Sequence, residues 1–174
     1  MVTIISGTNR PHSRTLQVAH YYQKKLLENG LSANLLSLAD LSFDFISEGM
    51  YTKTGSEAFK PYQDQISATE KFLFVIPEYN GSFPGILKTF VDACRFPDSF
   101  LNKKAALVGL SGGRYGNVRG LDHFAGVCHY LRVHVLPLRI HIPHIFSELD
   151  ADGNLFKEDT VRFTNEQIAE FILF

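Results

Sequence analysis

Tryptophan is absent from this chain, and cysteine occurs only twice, as Cys94 and Cys128. Two cysteines cannot build a disulfide framework, so a reduced, cytoplasmic setting is expected. A strong charge of either sign is also missing: 17 lysines and arginines face 18 acidic residues, a net charge of −1. Such a chain has no global field to draw nucleic acid or an anionic membrane, and neither is expected as a partner. Nowhere do apolar residues approach the ~18 in succession that a bilayer-spanning helix needs. The opening Val2–Ile5 run lacks the basic region and long apolar stretch of a secretory signal, so none is expected.

What is present is an ordinary globular composition over 174 residues, with no internal repeat, low-complexity tract or Pro/Gly/Ser linker. That predicts one domain spanning residues 1–174. Short apolar runs alternate with amphipathic segments, the pattern of βα units around a parallel sheet. Strands are predicted at Met1–Ser6, Ala33–Leu38, Lys71–Ile76 and Ala105–Leu110, with a fifth led in by Arg132–Leu136. The run KFLFVI, Lys71–Ile76, is apolar throughout, as befits a strand covered on both faces.

Helices are predicted at Ser13–Asn29, Ser56–Thr69, Pro84–Cys94, Val118–Leu131 and Thr164–Phe174. In the first, Leu16, Ala19, Tyr22, Leu26 and Leu27 recur near helical spacing and Gly30 is the stop. The second is interrupted early by Pro61, and the third buries Ile86, Leu87, Phe90, Val91 and Cys94. Residues 41–55 read as irregular. The expected architecture is α/β, a doubly wound five-stranded parallel sheet of order 2-1-3-4-5. Ligands of such sheets sit beyond the carboxyl ends of the strands, where the strand order reverses. The loops after strands one, three and four therefore carry the functional question.

Loop one, GTNRPHS, runs from a strand into a helix. Unpaired amides and the helix dipole make such a place an anion site. Thr8, Asn9, Ser13 and Thr15 can add hydrogen bonds, and Arg10 can add charge. A phosphate monoester suits these groups; a well-capped helix behind a polar turn is the plain alternative. A Walker A loop is excluded, because no lysine precedes Lys24. A tyrosine-phosphatase loop needs an arginine six residues after its cysteine, and the residues there are Phe100 and His134. A phosphate would be held here rather than hydrolysed.

Loop two, PEYNGSFPG (Pro77–Gly85), offers an acid, a flat ring and an amide in Glu78, Tyr79 and Asn80, with Gly81 leaving the backbone open. Loop three, SGGRYGNVRG (Ser111–Gly120), has four glycines for close approach to a planar ligand, flanked by Arg114 and Arg119.

The segments GTNRPHSRT, PEYNGSFPGILKTFVDA and GGRYGNVRG resemble the NADPH-dependent FMN reductases of flavodoxin-like fold, a family that includes quinone, azo and chromate reductases. The family patterns are G-S-x-R-x-x-S, P-E-Y-N-x-S-x-P-G-x-L-K-N-x-x-D-W and G-G-x-x-G-G-x-R. The second match is long and specific. Three departures stand out: Thr8 for serine, Ala93 for the tryptophan after Asp92, and Asn117 for glycine.

The resemblance implies a flavodoxin-like three-layer sandwich that binds FMN. Thr8, Arg10, Ser13 and Thr15, with Asn9 beside them, would hold the phosphate. Pro77, Glu78, Tyr79, Asn80 and Gly81 would line the ring, and Ser111, Gly112, Gly113 and Arg114 would close its pyrimidine side. The flavin would carry the chemistry, so no side chain is expected to be catalytic. No G-x-G-x-x-G follows a strand, so NADPH or NADH would visit as a transient co-substrate. The expected reaction is ping-pong, with two electrons passed on to a flavin, quinone, azo compound or similar acceptor.

The alternative is a non-catalytic electron carrier of the flavodoxin type, which would favour aromatic cover on both ring faces. Only Tyr79, Phe83 and Tyr115 lie within the loops to provide it, so an open face is expected. The family's habit also implies a homodimer or homotetramer, with Phe43, Phe45, Met50 and Tyr51 as candidate contacts if they are not simply core. The seven histidines show no ligand spacing and no metal site is expected; Cys94 and Cys128 fall on helix stripes as core filler.

Overall fold

Apolar strand segments and amphipathic helices alternate along the chain, and the strands assemble into one parallel sheet. The structure, a computed structural model, describes residues 1–42, 44–47, 50 and 56–174. Strands β1 (Val2–Ser6), β2 (Ala33–Ser37), β3 (Lys71–Pro77) and β4 (Lys104–Leu110) lie in the order β2-β1-β3-β4. Their register pairs Ser6 with Ser37 and Val75, and Pro77 with Leu110. The fifth lane comes in two pieces: β5 (His134–Val135) beside the start of β4, and β6 (Ile140–Ile142) beside its end. Pro137 lies in the gap, and having no N–H it cannot continue the ladder. The order is the expected 2-1-3-4-5, with its last strand broken.

The helices are α1 (Arg14–Glu28), α2 (Asp44–Ser47), α3 (Lys60–Ala68), α4 (Gly85–Ala93), α5 (Val118–Tyr130) and α6 (Glu158–Leu173). Pro61 sits in the first turn of α3, where its missing N–H costs nothing, so it starts that helix and does not interrupt it. Helix α6 begins six residues before the expected Thr164, with Glu158 and Asp159 in its first turn against the positive end of the dipole. Leu27 is 65% exposed and lies off the buried stripe of α1, which includes Val18, Ala19, Tyr22 and Leu26.

Alternation along β1, β3 and β4 sends side chains to two cores. Ile4, Leu73, Val75 and Val108 meet α1 and α6 through Val18, Tyr22, Ile168 and Phe171. Ile5, Phe72, Phe74 and Leu107 meet α3, α4 and α5 through Ile66, Phe90, Leu121 and Phe124. The buried phenylalanines concentrate in this second core, where Phe74 and Phe124 pack edge-on with centroids 4.9 Å apart. Phe45 stacks on Phe59 at 5.1 Å, and Met50 packs against the same cluster, so both are core. Phe43 and Tyr51 lie outside the described residues.

Burial raises both thiols, that of Cys128 to about 12, so neither is a ready nucleophile. Among the described residues no helix is long and apolar enough to cross a membrane.

Because β1 leads into α1 on one face of the sheet and β3 leads into α4 on the other, a crevice opens beyond the ends of β1 and β3. Asn117 fixes one wall of it. This buried residue precedes α5 in the left-handed conformation, φ 65°, and its Nδ2 donates to the Ile76 carbonyl at 2.9 Å. Glycine, the family's usual residue, would adopt that φ freely but could not make the bond. Asn117→Gly is expected to lose about 1 kcal/mol of stability with the bond. Asn117→Ala should lose roughly 1 kcal/mol more, from left-handed strain. Urea denaturation of the two variants measures the order.

Candidate active site

Loop one follows β1 without slack. The Gly7 N–H donates to the Val75 carbonyl at 2.8 Å. A Cβ on Gly7 would stand 3.0 Å from that same oxygen and 3.3 Å from Leu87 Cδ2. Glycine is therefore required for the chain to leave the sheet this close to β3. Ser13 then caps α1, its Oγ accepting from the Leu16 N–H at 3.1 Å. Between these two anchors, among the described residues, the backbone N–H groups of Asn9, His12 and Ser13 make no hydrogen bond to a protein acceptor, and those of Arg14 and Thr15 lie in the unpaired first turn. A set of free amides thus stands at the positive end of a 15-residue helix.

Thr8 also braces the loop. It is buried, its Oγ1 accepts from the Arg10 N–H at 3.2 Å, and it shares a 2.7 Å hydrogen bond with the Tyr79 hydroxyl. The Thr8 side chain ties loop one to loop two. Arg10 and Arg14 are exposed, and the Arg14 Nη1 donates to Gln17 Oε1 at 2.7 Å.

Loop two continues the ladder for one step, with the Glu78 N–H donating to the Leu110 carbonyl at 2.9 Å. Tyr79 and Ser82 then exchange backbone hydrogen bonds of 2.8 and 3.1 Å around Asn80 and Gly81, both at positive φ (52° and 76°). This is the primed two-residue turn that Asn-Gly favours. Asn80 and Gly81 serve the turn, which presents the Tyr79 ring while its hydroxyl is fixed by Thr8. Outside the turn, Ser82 Oγ and His123 Nδ1 are 2.9 Å apart.

Loop three is braced from within. Ser111 Oγ donates to the Gly113 carbonyl at 2.9 Å and accepts from the Gly116 N–H at 3.0 Å. Its hydroxyl holds the loop's shape. The Arg114 guanidinium folds onto Tyr115, 4.7 Å from the ring centroid, with Nη2 donating to the Tyr115 hydroxyl at 2.6 Å.

The three loops converge on one cleft of about 360 Å³. Its lining includes Arg10, Ser13 and Thr15 from loop one, Pro77, Glu78 and Tyr79 from loop two, and Ser111 and Gly112 from loop three. Thr8, Asn9, Asn80, Gly81, Gly113 and Arg114 stand behind or beside it and do not line it. Sequence reasoning missed a fourth contributor, Ile145–Phe146, on the turn after β6. The signal was available: PHIFS follows the last strand, so its turn must lie at the same edge of the sheet. A larger groove, about 780 Å³, runs outside α1 between Gln17 and Asn154. It has no converging amides and no helix N-terminus, so the smaller cleft is the stronger site.

A family model described as NADPH-dependent FMN reductase matches residues 1–146. A 2-hydroxy-1,4-benzoquinone reductase from a Burkholderia species is 30% identical over 173 residues, 93% of this chain and 88% of its own length. An NAD(P)H-dependent FMN reductase of Pseudomonas aeruginosa is 33% identical over 137 residues, 76% of this chain and 74% of its own. Among solved structures, the flavoenzyme FerB of Paracoccus denitrificans, an NAD(P)H:(acceptor) oxidoreductase, superposes with a TM-score of 0.81. It shares 24% identity and covers 98% of this chain and 94% of its own, which shows the common fold. A flavodoxin from the domain Archaea superposes at 0.61 with 15% identity, the two chains covering each other fully. With the matched family model spanning both the crevice loops and the strands that carry them, this chain belongs to the NADPH-dependent FMN reductase family and is an oxidoreductase.

Proposed function

We propose that the whole chain, residues 1–174, acts as one FMN-binding domain that takes electrons from NADPH or NADH and passes them to a small acceptor such as a quinone, an azo compound or free flavin. The observation that carries the reading is the pairing of free amides at the start of α1 with a ring-bearing loop two in one cleft. The donor set suits FMN. A phosphate dianion would accept from the amides of residues 9 and 12–15, from Ser13 and Thr15 hydroxyls, and from Arg10 at the rim. Ser13 can serve both ends, because its oxygen accepts from Leu16 while its proton remains free to donate. Beyond that cradle, Tyr79 offers a flat face, and Gly112 in loop three completes the lining. Bound FMN supplies hydride chemistry that no side chain here could provide.

What the protein contributes is position and polarity. Amides of loop three, at the far end from the phosphate cradle, would stabilise negative charge arising at the pyrimidine edge. Ile145 and Leu110 close the inner wall against water. NAD(P)H and the acceptor would use the same exposed ring face in turn, a ping-pong order. The family match disfavours a flavodoxin-type carrier; the lining holds two aromatic rings, Tyr79 and Phe146, while Tyr115 is engaged with Arg114 outside the cleft. A second copy of the chain would pack on the groove between α4 and α5, where Val91, Cys94 and Val127 underlie the exposed Tyr130.

The purified protein is expected to be yellow, to lose that colour within seconds of mixing with NADPH, and to give parallel double-reciprocal lines with a quinone as acceptor. A colourless protein that takes up no FMN would refute the assignment. Arg10→Ala should weaken FMN about tenfold by removing one charge-assisted contact, while riboflavin, which lacks the phosphate, binds parent and variant alike. Fluorescence titration reads both ligands.

A further inference from the structure

We infer that Phe146 is an FMN-contacting residue, held ready in the wall of the cleft by Arg14 and Gly112, and that it governs retention of the sugar-and-ring part of the cofactor. The inference rests on the FMN reading given above and adds to it a residue that the family motifs do not contain.

Phe146 is 69% exposed, an unusual position for a phenyl ring on so fixed a support. It sits in a single 3-10 turn, Ile145–Ser147, whose neighbour Ile145 is buried in the core. That turn is stitched to loop three on both sides. The His144 N–H donates to the Gly113 carbonyl at 2.9 Å, the Ile145 N–H to the Ser111 carbonyl at 3.0 Å, and the Ser111 N–H to the Ile142 carbonyl at 3.0 Å. Behind it, the buried Glu148 carboxylate meets Lys157 Nζ at 3.0 Å and accepts from Thr160 Oγ1 at 2.8 Å, fastening the turn to the start of α6.

Among the described residues, two neighbours help to fix the place of the ring. Gly112 is one: a Cβ there would stand 3.0 Å from Phe146 Cε2, so the absence of a side chain makes the seat. Arg14 is the other, its guanidinium 5.8 Å from the ring centroid and steadied by Gln17. Arg14, at the start of α1, and Gly112, in loop three, line the cleft together with Phe146. The Phe146 ring therefore stands where two of the loops that form the cleft meet, and a bound FMN would pack against it. An exposed apolar face on a braced support, lining a cleft, is a preorganised contact surface.

The test compares FMN and riboflavin affinity for the parent, Phe146→Ala and Phe146→Tyr, by fluorescence titration. A residue acting on the sugar and ring, not on the phosphate, must affect both ligands equally. Phe146→Ala is expected to weaken FMN and riboflavin by the same factor, about tenfold, the scale of one aromatic contact. Phe146→Tyr should stay close to the parent, and the melting temperature should not change. Gly112→Ala, which displaces the ring from its seat, should also weaken both ligands. The inference is overturned if Phe146→Ala binds both flavins as the parent does, or if it raises only the KM for NADPH, which would make the ring a dinucleotide contact. A parent that takes up no flavin overturns the functional reading first, and this inference with it.

Discussion

The close approach of Gly7 to β3 is the constraint from which the site follows. A side chain at that position would run into the Val75 carbonyl and Leu87. Without one, β1 can turn into α1 directly above the point where the strand order reverses. That turn aims a helix N-terminus, with its unpaired amides and dipole, into the crevice. Every later feature of the cleft is arranged around a positive end whose location Gly7 sets.

The surrounding hydroxyls and amides mostly brace. Thr8 meets the Tyr79 hydroxyl, Ser111 holds Gly113 and Gly116, and Asn117 holds Ile76. These bonds link loop one to loop two, close loop three on itself and tie loop three to β3. Their effect is to fix the backbone donors in place before any ligand arrives, so less ordering is required on binding. Several side chains that look like ligand contacts in the sequence are thus occupied within the protein, while Arg10, Ser13 and Thr15 line the cleft beside backbone amides that have no sequence signature of their own.

Much of this was legible in the sequence. The apolar runs located the strands and their order, because a parallel sheet covered on both faces requires such runs. The three loops were found because strand ends must carry them. The errors have local causes. Pro137 splits the fifth strand, which a pattern of apolar residues does not reveal. Helix α6 extends back to Glu158 through a first turn that carries Glu158 and Asp159 and few apolar residues, which leaves little periodic signal there. Phe146 escaped notice because an exposed phenylalanine after a broken strand resembles a surface accident until Gly112 and Arg14 are seen around it.

The central claim is that backbone amides at the start of α1 hold a phosphate. It is tested most directly by amide proton and nitrogen shifts measured while FMN or riboflavin is added. The account predicts that the amides of Asn9, His12, Ser13, Arg14 and Thr15 move strongly with FMN and hardly at all with riboflavin, while those of Tyr79 and Gly112 move with both. If FMN binds and the five amides of loop one stay where they were, the phosphate lies elsewhere and the account is wrong.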